Sequence, residues 1–170
     1  MKTFNYKPLA VALGTTLLLT GALSVYAADY SGSFNGTITK QDGLPIDLNG
    51  QHVMALGLSN GINKSTGNMD YFDGGDIVVT DIVDIVNGNG THSGYWTVSQ
   101  NGETVTNKLT GTMTTVMAAD GKTPMTTIRG TFDNVYGTGI HSTIHPYGTY
   151  TVTFTSPTEY VSEWTVTRFK

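Results

Sequence analysis

The chain has 170 residues, a formal net charge of −4 and only 13% charged residues, against about 25% in an ordinary globular domain. This length fits one domain, the sparse Lys and Arg argue against a nucleic-acid partner, and the lack of cysteine excludes disulfides, thiolate metal sites and cysteine nucleophiles. Thr occurs 29 times and Gly 21 times, and with many β-branched and aromatic residues this composition indicates a folded β-rich chain.

Residues 1–27 have the features of a secretory signal peptide. Two lysines supply a positive start, Leu9–Leu23 is an apolar run, and Val25-Tyr26-Ala27 presents small side chains where a signal peptidase inspects the chain. We expect cleavage before Ala28 and a periplasmic or extracellular bacterial protein made of one domain, residues 28–170. A permanent anchor is the alternative, but the run is short for a membrane span of about 20 apolar residues, so no stable membrane insertion is predicted.

After the signal peptide the dominant hydrophobic period is two, which is typical of half-buried β-strands. The alternation is clearest where Tyr150, Val152 and Phe154 are separated by single threonines. The same test predicts eight strands: Ser31–Lys40, Gln51–Leu58, Asp76–Val86, Thr91–Gln100, Glu103–Met117, Met125–Val135, Gly148–Ser156 and Glu159–Phe169.

Short turn signals between these strands predict antiparallel neighbours. Asn101-Gly102 is a two-residue hairpin signal, because both residue types tolerate positive φ. Eight consecutive antiparallel strands form either a closed up-and-down barrel or a two-sheet sandwich. We predict an all-β, eight-stranded antiparallel barrel, since closure removes edges that this weakly charged chain would leave unprotected. The longest irregular stretch, Ser59–Gly75, is predicted to be a loop at the barrel mouth.

The C-terminal half carries a repeated cadence of Gly, Thr and aromatic residues. Its segments are Gly130-Thr131-Phe132, Tyr136-Gly137-Thr138-Gly139-Ile140 and Tyr147-Gly148-Thr149-Tyr150, preceded by Asp84, Asn87-Gly88-Asn89-Gly90 and Gly94-Tyr95. Over roughly residues 76–170 this pattern resembles the allene oxide cyclase and dirigent barrel superfamily. The resemblance implies an eight-stranded barrel with a mainly apolar lumen that often self-associates into a homo-oligomer. Members cyclise oxidised fatty acids, steer radical coupling of phenols or have no known activity.

Three aspartates interrupt the apolar strand Asp76–Val86. Asp81 shares its face with Ile77 and Val79, whereas Asp84 lies on the opposite face. A carboxyl that points into an apolar lumen is a candidate general acid or base, so Asp81 and Asp84 are the candidate catalytic residues. Parity alone does not identify the inner face. The structural alternative for Asp81 is a pairing with Arg129 or a lumen tyrosine, or a solvent-facing position near a strand end.

The remaining polar residues give no metal signal, and neither a metal nor a cofactor is predicted. His141 and His145 would lie about 13 Å apart in an extended chain, too far for one metal ion, and surface histidines are expected. The acidic run Asp70–Asp76 lacks the spacing and the terminal Glu of an EF-hand, so an ordinary turn is expected rather than a calcium site.

One face of the alternating strands is predicted to fill the barrel, because burial of large apolar side chains is favourable and buried threonines need partners. These inward residues are Val105, Leu109, Met113, Ile128, Phe132, Tyr150, Val152 and Phe154. Most aromatics are expected to fill the core, and inward tyrosine hydroxyls would suit a small amphipathic ligand. The predicted ligand-binding residues are Tyr95, Phe132, Tyr150, Phe154 and His52, with a structural, hydrogen-bonded His52 as the alternative.

Three functions fit these features. We favour a secreted β-barrel that binds a small apolar or amphipathic molecule in its lumen without turnover. The second is an isomerase or cyclase of the allene oxide cyclase type, which would use one carboxyl for proton transfer. The third is a surface or matrix protein that works through its Thr-rich exterior. An open apolar lumen favours the first two, and a lumen filled by side chains favours the third. Catalysis and ligand identity are left open.

Overall fold

The computed structural model describes residues 30–169, so the predicted signal peptide lies outside the described residues. Eight strands and one short 3-10 helix, Gly139–Ser142, make up this range. The strands are β1 Ser31–Pro45, β2 His52–Ser65, β3 Asp76–Val86, β4 Asn89–Gln100, β5 Glu103–Met117, β6 Pro124–Gly137, β7 Pro146–Phe154 and β8 Glu159–Phe169. Within this part of the chain, no helix is long and apolar enough to cross a membrane.

Each strand pairs antiparallel with the next, and β8 returns to pair with β1, so the sheet closes on itself. The predicted all-β, eight-stranded antiparallel up-and-down barrel is confirmed, and the sandwich is excluded. Hairpin geometry follows the turn residues: Asn101 and Gly102 have φ of 54° and 83°, and Asn87 and Gly88 have φ of 52° and 77°. Two successive left-handed residues twist a turn in the sense that matches the strands.

The interior holds the alternating face that the sequence predicts. Val105, Leu109, Ile128, Phe132, Tyr150 and Val152 are buried, and Met113 and Phe154 pack against them partly buried. The threonines between them are exposed or half-buried. The inside and outside of these strands are therefore as predicted.

Large inward rings fit this narrow lumen because they lie across glycines of the neighbouring strand. The register sets Gly32 opposite Trp164, Gly36 opposite Tyr160, Gly130 opposite Tyr150 and Gly148 opposite Phe132. A Cβ atom at any of these glycines would overlap the facing aromatic side chain. The interior of an eight-stranded barrel is only just wide enough to be filled by side chains. Packing thus accounts for Gly130 and Gly148 in the Gly-Thr-aromatic cadence.

The segment between β2 and β3 closes one end of the barrel. The predicted loop Ser59–Gly75 is wrong in its first part, because β2 continues to Ser65 and only residues 66–75 are loop. Tyr71 and Phe72 of this loop are buried, and Tyr71 packs edge-on against Trp164 at a centroid distance of 5.7 Å. The loop is therefore a plug for one end of the lumen.

Asn63 anchors this plug from inside the barrel. Its Nδ2 donates to the carbonyl oxygens of Tyr71 and Phe72 at 2.7 and 3.0 Å, and its Oδ1 accepts from Trp164 Nε1 at 3.0 Å. Every polar atom of this fully buried amide has a partner, as a buried polar group requires.

Candidate functional site

A chain of three polar side chains crosses the middle of the otherwise apolar lumen. Asp81 shares its face of β3 with the buried residues Ile77 and Val79, so it points inward. Its Oδ2 lies 3.1 Å from His92 Nε2, and His92 Nδ1 lies 2.7 Å from the Tyr150 hydroxyl. The structure thus brings together a carboxylate, an imidazole and a phenol from β3, β4 and β7.

The proton positions in this chain follow from what each group can donate. A carboxylate only accepts, so His92 Nε2 carries the hydrogen that is donated to Asp81. In the neutral imidazole the other nitrogen is an acceptor, and the Tyr150 hydroxyl then donates to Nδ1. Both ring nitrogens of this buried imidazole therefore have hydrogen-bond partners.

A second polar pair joins β2 and β8, the strands next to those that carry Asp81 and Tyr150. Ser59 Oγ and Tyr160 Oη are 2.8 Å apart, and both residues are buried. Burial raises the pKa of Tyr160 to about 12; the hydrogen bond with Ser59 opposes this rise, and the Asp81 charge adds to it. Burial and the Asp81 charge raise the pKa of Tyr150 above its usual value. Both phenols therefore keep their protons at neutral pH.

The two polar groups border a small cavity of about 30 Å³, which we call the floor cavity. Its lining is Phe34, Val79, Asp81, His92, Trp96, Leu109, Ile128, Tyr150, Val152, Tyr160 and Ser162. About 10–15 Å³ is enough for one water-sized group, so the floor cavity takes a group of one or two heavy atoms. The rest of this level is filled by side chains.

A larger space, which we call the mouth, opens at the end opposite the plug. It measures about 490 Å³ and is lined by Ile38, Gln41, Met113, Thr123, Pro124, Thr126, Phe154, Thr155, Ser156 and Pro157. Residues of β1 and β5 lie on opposite sides of the barrel, so a space that both of them line lies over the lumen. Phe154 in the mouth contacts Tyr160 of the floor cavity at a ring distance of 5.7 Å. The mouth thus lies one layer of side chains above the floor cavity.

The predicted ligand-binding residues fall on both faces of the sheet. Phe132, Tyr150 and Phe154 point into the lumen, and the last of these lines the mouth. Tyr95 does not line the lumen: it is 47% exposed on the outer face, while its neighbour Trp96 is buried inside. His52 lies on the outer face as well, so the prediction that it lines the pocket is wrong, and the alternative of a structural, hydrogen-bonded His52 is confirmed by its bond to Asp84.

Of the two candidate catalytic aspartates, only Asp81 faces the lumen. Asp84 lies outside and pairs with His52 at 2.7 Å between Oδ1 and Nε2, with both side chains partly exposed. The predicted structural partners of Asp81 are replaced by His92: Arg129 is exposed on the outer face, and Tyr150 is reached only through the imidazole.

Three site residues were missed by sequence reasoning, namely His92, Ser59 and Tyr160. A signal for His92 exists, because it shares its face of β4 with Trp96 and Val98, both of which are buried. Ser59 carried no such signal, since it falls in the segment predicted to be a loop.

The other candidate polar sites have structural partners. His141 lies 3.5 Å from Glu103 and stacks on Phe72, and His145 Nδ1 lies 3.0 Å from Asn134 Oδ1. In the acidic loop Asp70 Oδ1 accepts from the backbone N–H of Asp73 at 3.0 Å, as in an ordinary turn. Across residues 30–169 no three His, Cys, Asp or Glu side chains are grouped closely enough to hold a metal ion.

Comparison with known protein families, curated proteins and solved structures finds no match for this chain. The resemblance to the allene oxide cyclase and dirigent superfamily therefore stays a prediction from residues 76–170.

Proposed function

We propose that this protein is an exported barrel that binds a small apolar or amphipathic molecule through the open end of its lumen. The observation that carries the proposal is the asymmetry of the two ends. Tyr71 and Phe72 close one end, whereas the other end has a mouth of about 490 Å³ with Ile38, Met113 and Phe154 in its wall.

The size and lining of the mouth support a ligand rather than an accidental gap. Small-molecule sites measure about 300–1,000 Å³ and combine apolar walls with a few polar groups. Here the polar groups are Asp81, His92 and Tyr150, and they lie directly below the apolar walls. The level of the floor cavity is nearly filled by side chains, which on its own favours the alternative of a protein that works through its Thr-rich exterior. Ligand binding is therefore proposed for the mouth, where the body of the ligand would lie while only a small group reaches the polar chain.

The test is a titration with N-phenyl-1-naphthylamine, a neutral apolar probe whose fluorescence rises in an apolar site. Met113→Trp fills the mouth from inside the barrel, and Thr114→Trp adds the same ring on the exposed outer face of β5. We expect the wild type and Thr114→Trp to bind alike and Met113→Trp to bind at least tenfold more weakly. Absence of probe binding by the wild type, or equal weakening in both variants, would contradict lumen binding.

A further inference from the structure

We propose that the lumen selects ligands with a cationic, hydrogen-bond-donating head, such as a primary amine on an apolar tail. This inference rests on the proposed function and names the chemical class of the ligand. It comes from the charge and the acceptor geometry around the floor cavity.

The described wall of the floor cavity carries one acidic residue and no Lys or Arg, and the basic partner of that acid is the imidazole of His92. Asp81 is the acidic residue in the wall of the floor cavity, and its side chain keeps 24% of its surface exposed there. Every Lys and Arg within residues 30–169 is exposed to solvent. None of the described residues that line the mouth is charged. A ligand that enters the lumen therefore meets a carboxylate whose basic partner among the described residues is the His92 imidazole, in a poorly hydrated, low-dielectric site where charge interactions are strong.

Two residues of this wall, Asp81 and Tyr150, offer oxygen atoms that can accept hydrogen bonds from a ligand. Asp81 Oδ2 takes the hydrogen of His92, while Oδ1 takes no part in that bond and lies over Gly57, which has no side chain to obstruct it. When His92 Nε2 donates to Asp81, the Tyr150 hydroxyl donates its hydrogen to His92 Nδ1. The Tyr150 oxygen is then left to accept a hydrogen bond from a ligand. Trp96 Nε1 has no partner among the described residues, but this atom has no accessible surface. A head group that donates hydrogen bonds therefore finds acceptors at Asp81 and Tyr150, whereas a carboxylate would lie beside the Asp81 charge.

The shape of the lumen fits one small head and a longer tail. The floor cavity of about 30 Å³ matches a group of ammonium size, and the mouth takes the apolar part. The rings of Trp96 and Tyr160 also line the floor cavity, and aromatic faces attract cations. Charge, acceptors, aromatic walls and volume thus favour the same class of ligand. They disfavour a fatty-acid carboxylate placed in the floor cavity.

The test compares n-octylamine, n-octanol and sodium octanoate, which share one tail length and differ in the head. Binding to the wild-type protein at neutral pH is measured by isothermal titration calorimetry. We expect octylamine to bind at least tenfold more tightly than octanol, and octanoate to bind most weakly. Octanol or octanoate binding as tightly as octylamine would overturn the inference while leaving lumen binding intact. If none of the three binds, the proposed function fails with it.

Two matched variants locate the preference. Asp81→Asn removes the lumen charge at nearly constant shape, and Asp84→Asn removes the charge of the other His-paired aspartate of β3, on the outer face. Asp81→Asn should lose the preference for octylamine over octanol, whereas Asp84→Asn should keep it. If the preference for octylamine persists in Asp81→Asn, or disappears in Asp84→Asn, then Asp81 is not the group that recognises the amine. The wild-type ranking of the three probes decides the matter even if Asp81→Asn does not fold.

Discussion

Two hydrogen bonds fix the position of the His92 ring between Asp81 and Tyr150 in the lumen. His92 is 3% exposed and is held at both nitrogens, by Asp81 on one side and Tyr150 on the other. Removing either partner leaves a buried nitrogen without a hydrogen bond. The free energy of unfolding then falls by the desolvation penalty of that nitrogen, which exceeds the modest net contribution of one hydrogen bond. The ring position, and with it the free oxygen of Asp81, depends on both partners.

Tyr150→Phe tests this dependence without creating a cavity. The change removes only the hydroxyl that donates to His92, and it should lower the free energy of unfolding by about 1–3 kcal/mol. Tyr95→Phe is the control, because Tyr95 is 47% exposed and its hydroxyl should contribute within about 0.5 kcal/mol. Urea unfolding of both variants makes the comparison. Equal effects of the two changes would show that the bond to His92 is not what orders the ring.

The buried Tyr160 predicts a loss of stability in alkali. Its pKa is raised to about 12 in the folded protein, mainly by burial, against about 10 in an unfolded chain. Between these pH values the unfolded chain releases a proton that the folded chain retains, so the stability present below pH 10 is lost as the pH rises towards 12. The slope for one such tyrosine is at most about 1.4 kcal/mol per pH unit.

Urea unfolding at pH 9 and pH 11 tests this linkage. The free energy of unfolding should fall less between the two pH values in Tyr160→Phe than in the wild type, by about 1 kcal/mol, because the variant lacks the titrating group. An identical fall in both proteins would mean that Tyr160 titrates alike in the folded and unfolded states.

At the scale of the strand, the pairing of glycines with inward rings sets the width of the barrel. Gly36 lies opposite Tyr160, and a Cβ atom at Gly36 would overlap that ring. Gly43 is farther along β1, where a Cβ atom would meet only a Val53 methyl at 3.8 Å. A side chain would therefore clash at Gly36 but not at Gly43, although the sequence alone does not distinguish these two glycines of β1.

Gly36→Ala should lower the free energy of unfolding by about 1–3 kcal/mol, as overpacking of a core does, or by more if Tyr160 cannot move. Gly43→Ala should leave it unchanged or raise it slightly, because the added methyl group meets no obstacle and the unfolded chain loses freedom. Thermal or urea unfolding of Gly36→Ala and Gly43→Ala measures the difference between the two variants. A neutral Gly36→Ala would show that this ring does not rest on the glycine.

Strand positions were predictable because their signal is local, and strand ends were not. The alternation in the two Thr-rich strands, β5 and β7, correctly predicted which side chains point into the barrel. The end of β2 was missed because Gly61 and Asn63 are turn formers. In the structure Gly61 makes room for Phe34, and the Asn63 amide anchors the plug.

The site was predictable in part, for a reason of register. The face of Asp81 follows from its parity with Ile77 and Val79. Its contact with His92 depends on which two residues of Asn87-Gly88-Asn89-Gly90 form the turn, since a shift there would move the histidine along or across the sheet. Tyr95 and Trp96 are adjacent aromatics on opposite faces, and only their neighbours indicate which one is inside.

Over the whole molecule, the barrel is closed at one end by the plug and open at the other end at the mouth.

Export and catalysis stay predictions. For export the expected outcome is a mature chain that begins at Ala28, because Val25-Tyr26-Ala27 matches a signal peptidase site. The intact mass of protein recovered from outside the cytoplasm checks this. A mass that still includes residues 1–27 would contradict the predicted compartment.

The most direct test of lumen binding uses the methionine methyl groups as position markers in ¹³C NMR. Met113 lines the mouth, Met54 is exposed on the outer face of β2, and Met69 is exposed in the plug loop at the closed end. Titration with n-octylamine should shift the Met113 methyl signal in a saturable way and leave those of Met54 and Met69 unchanged. A shift at Met54 or Met69 with Met113 unmoved would place the ligand outside the lumen and contradict the proposed function.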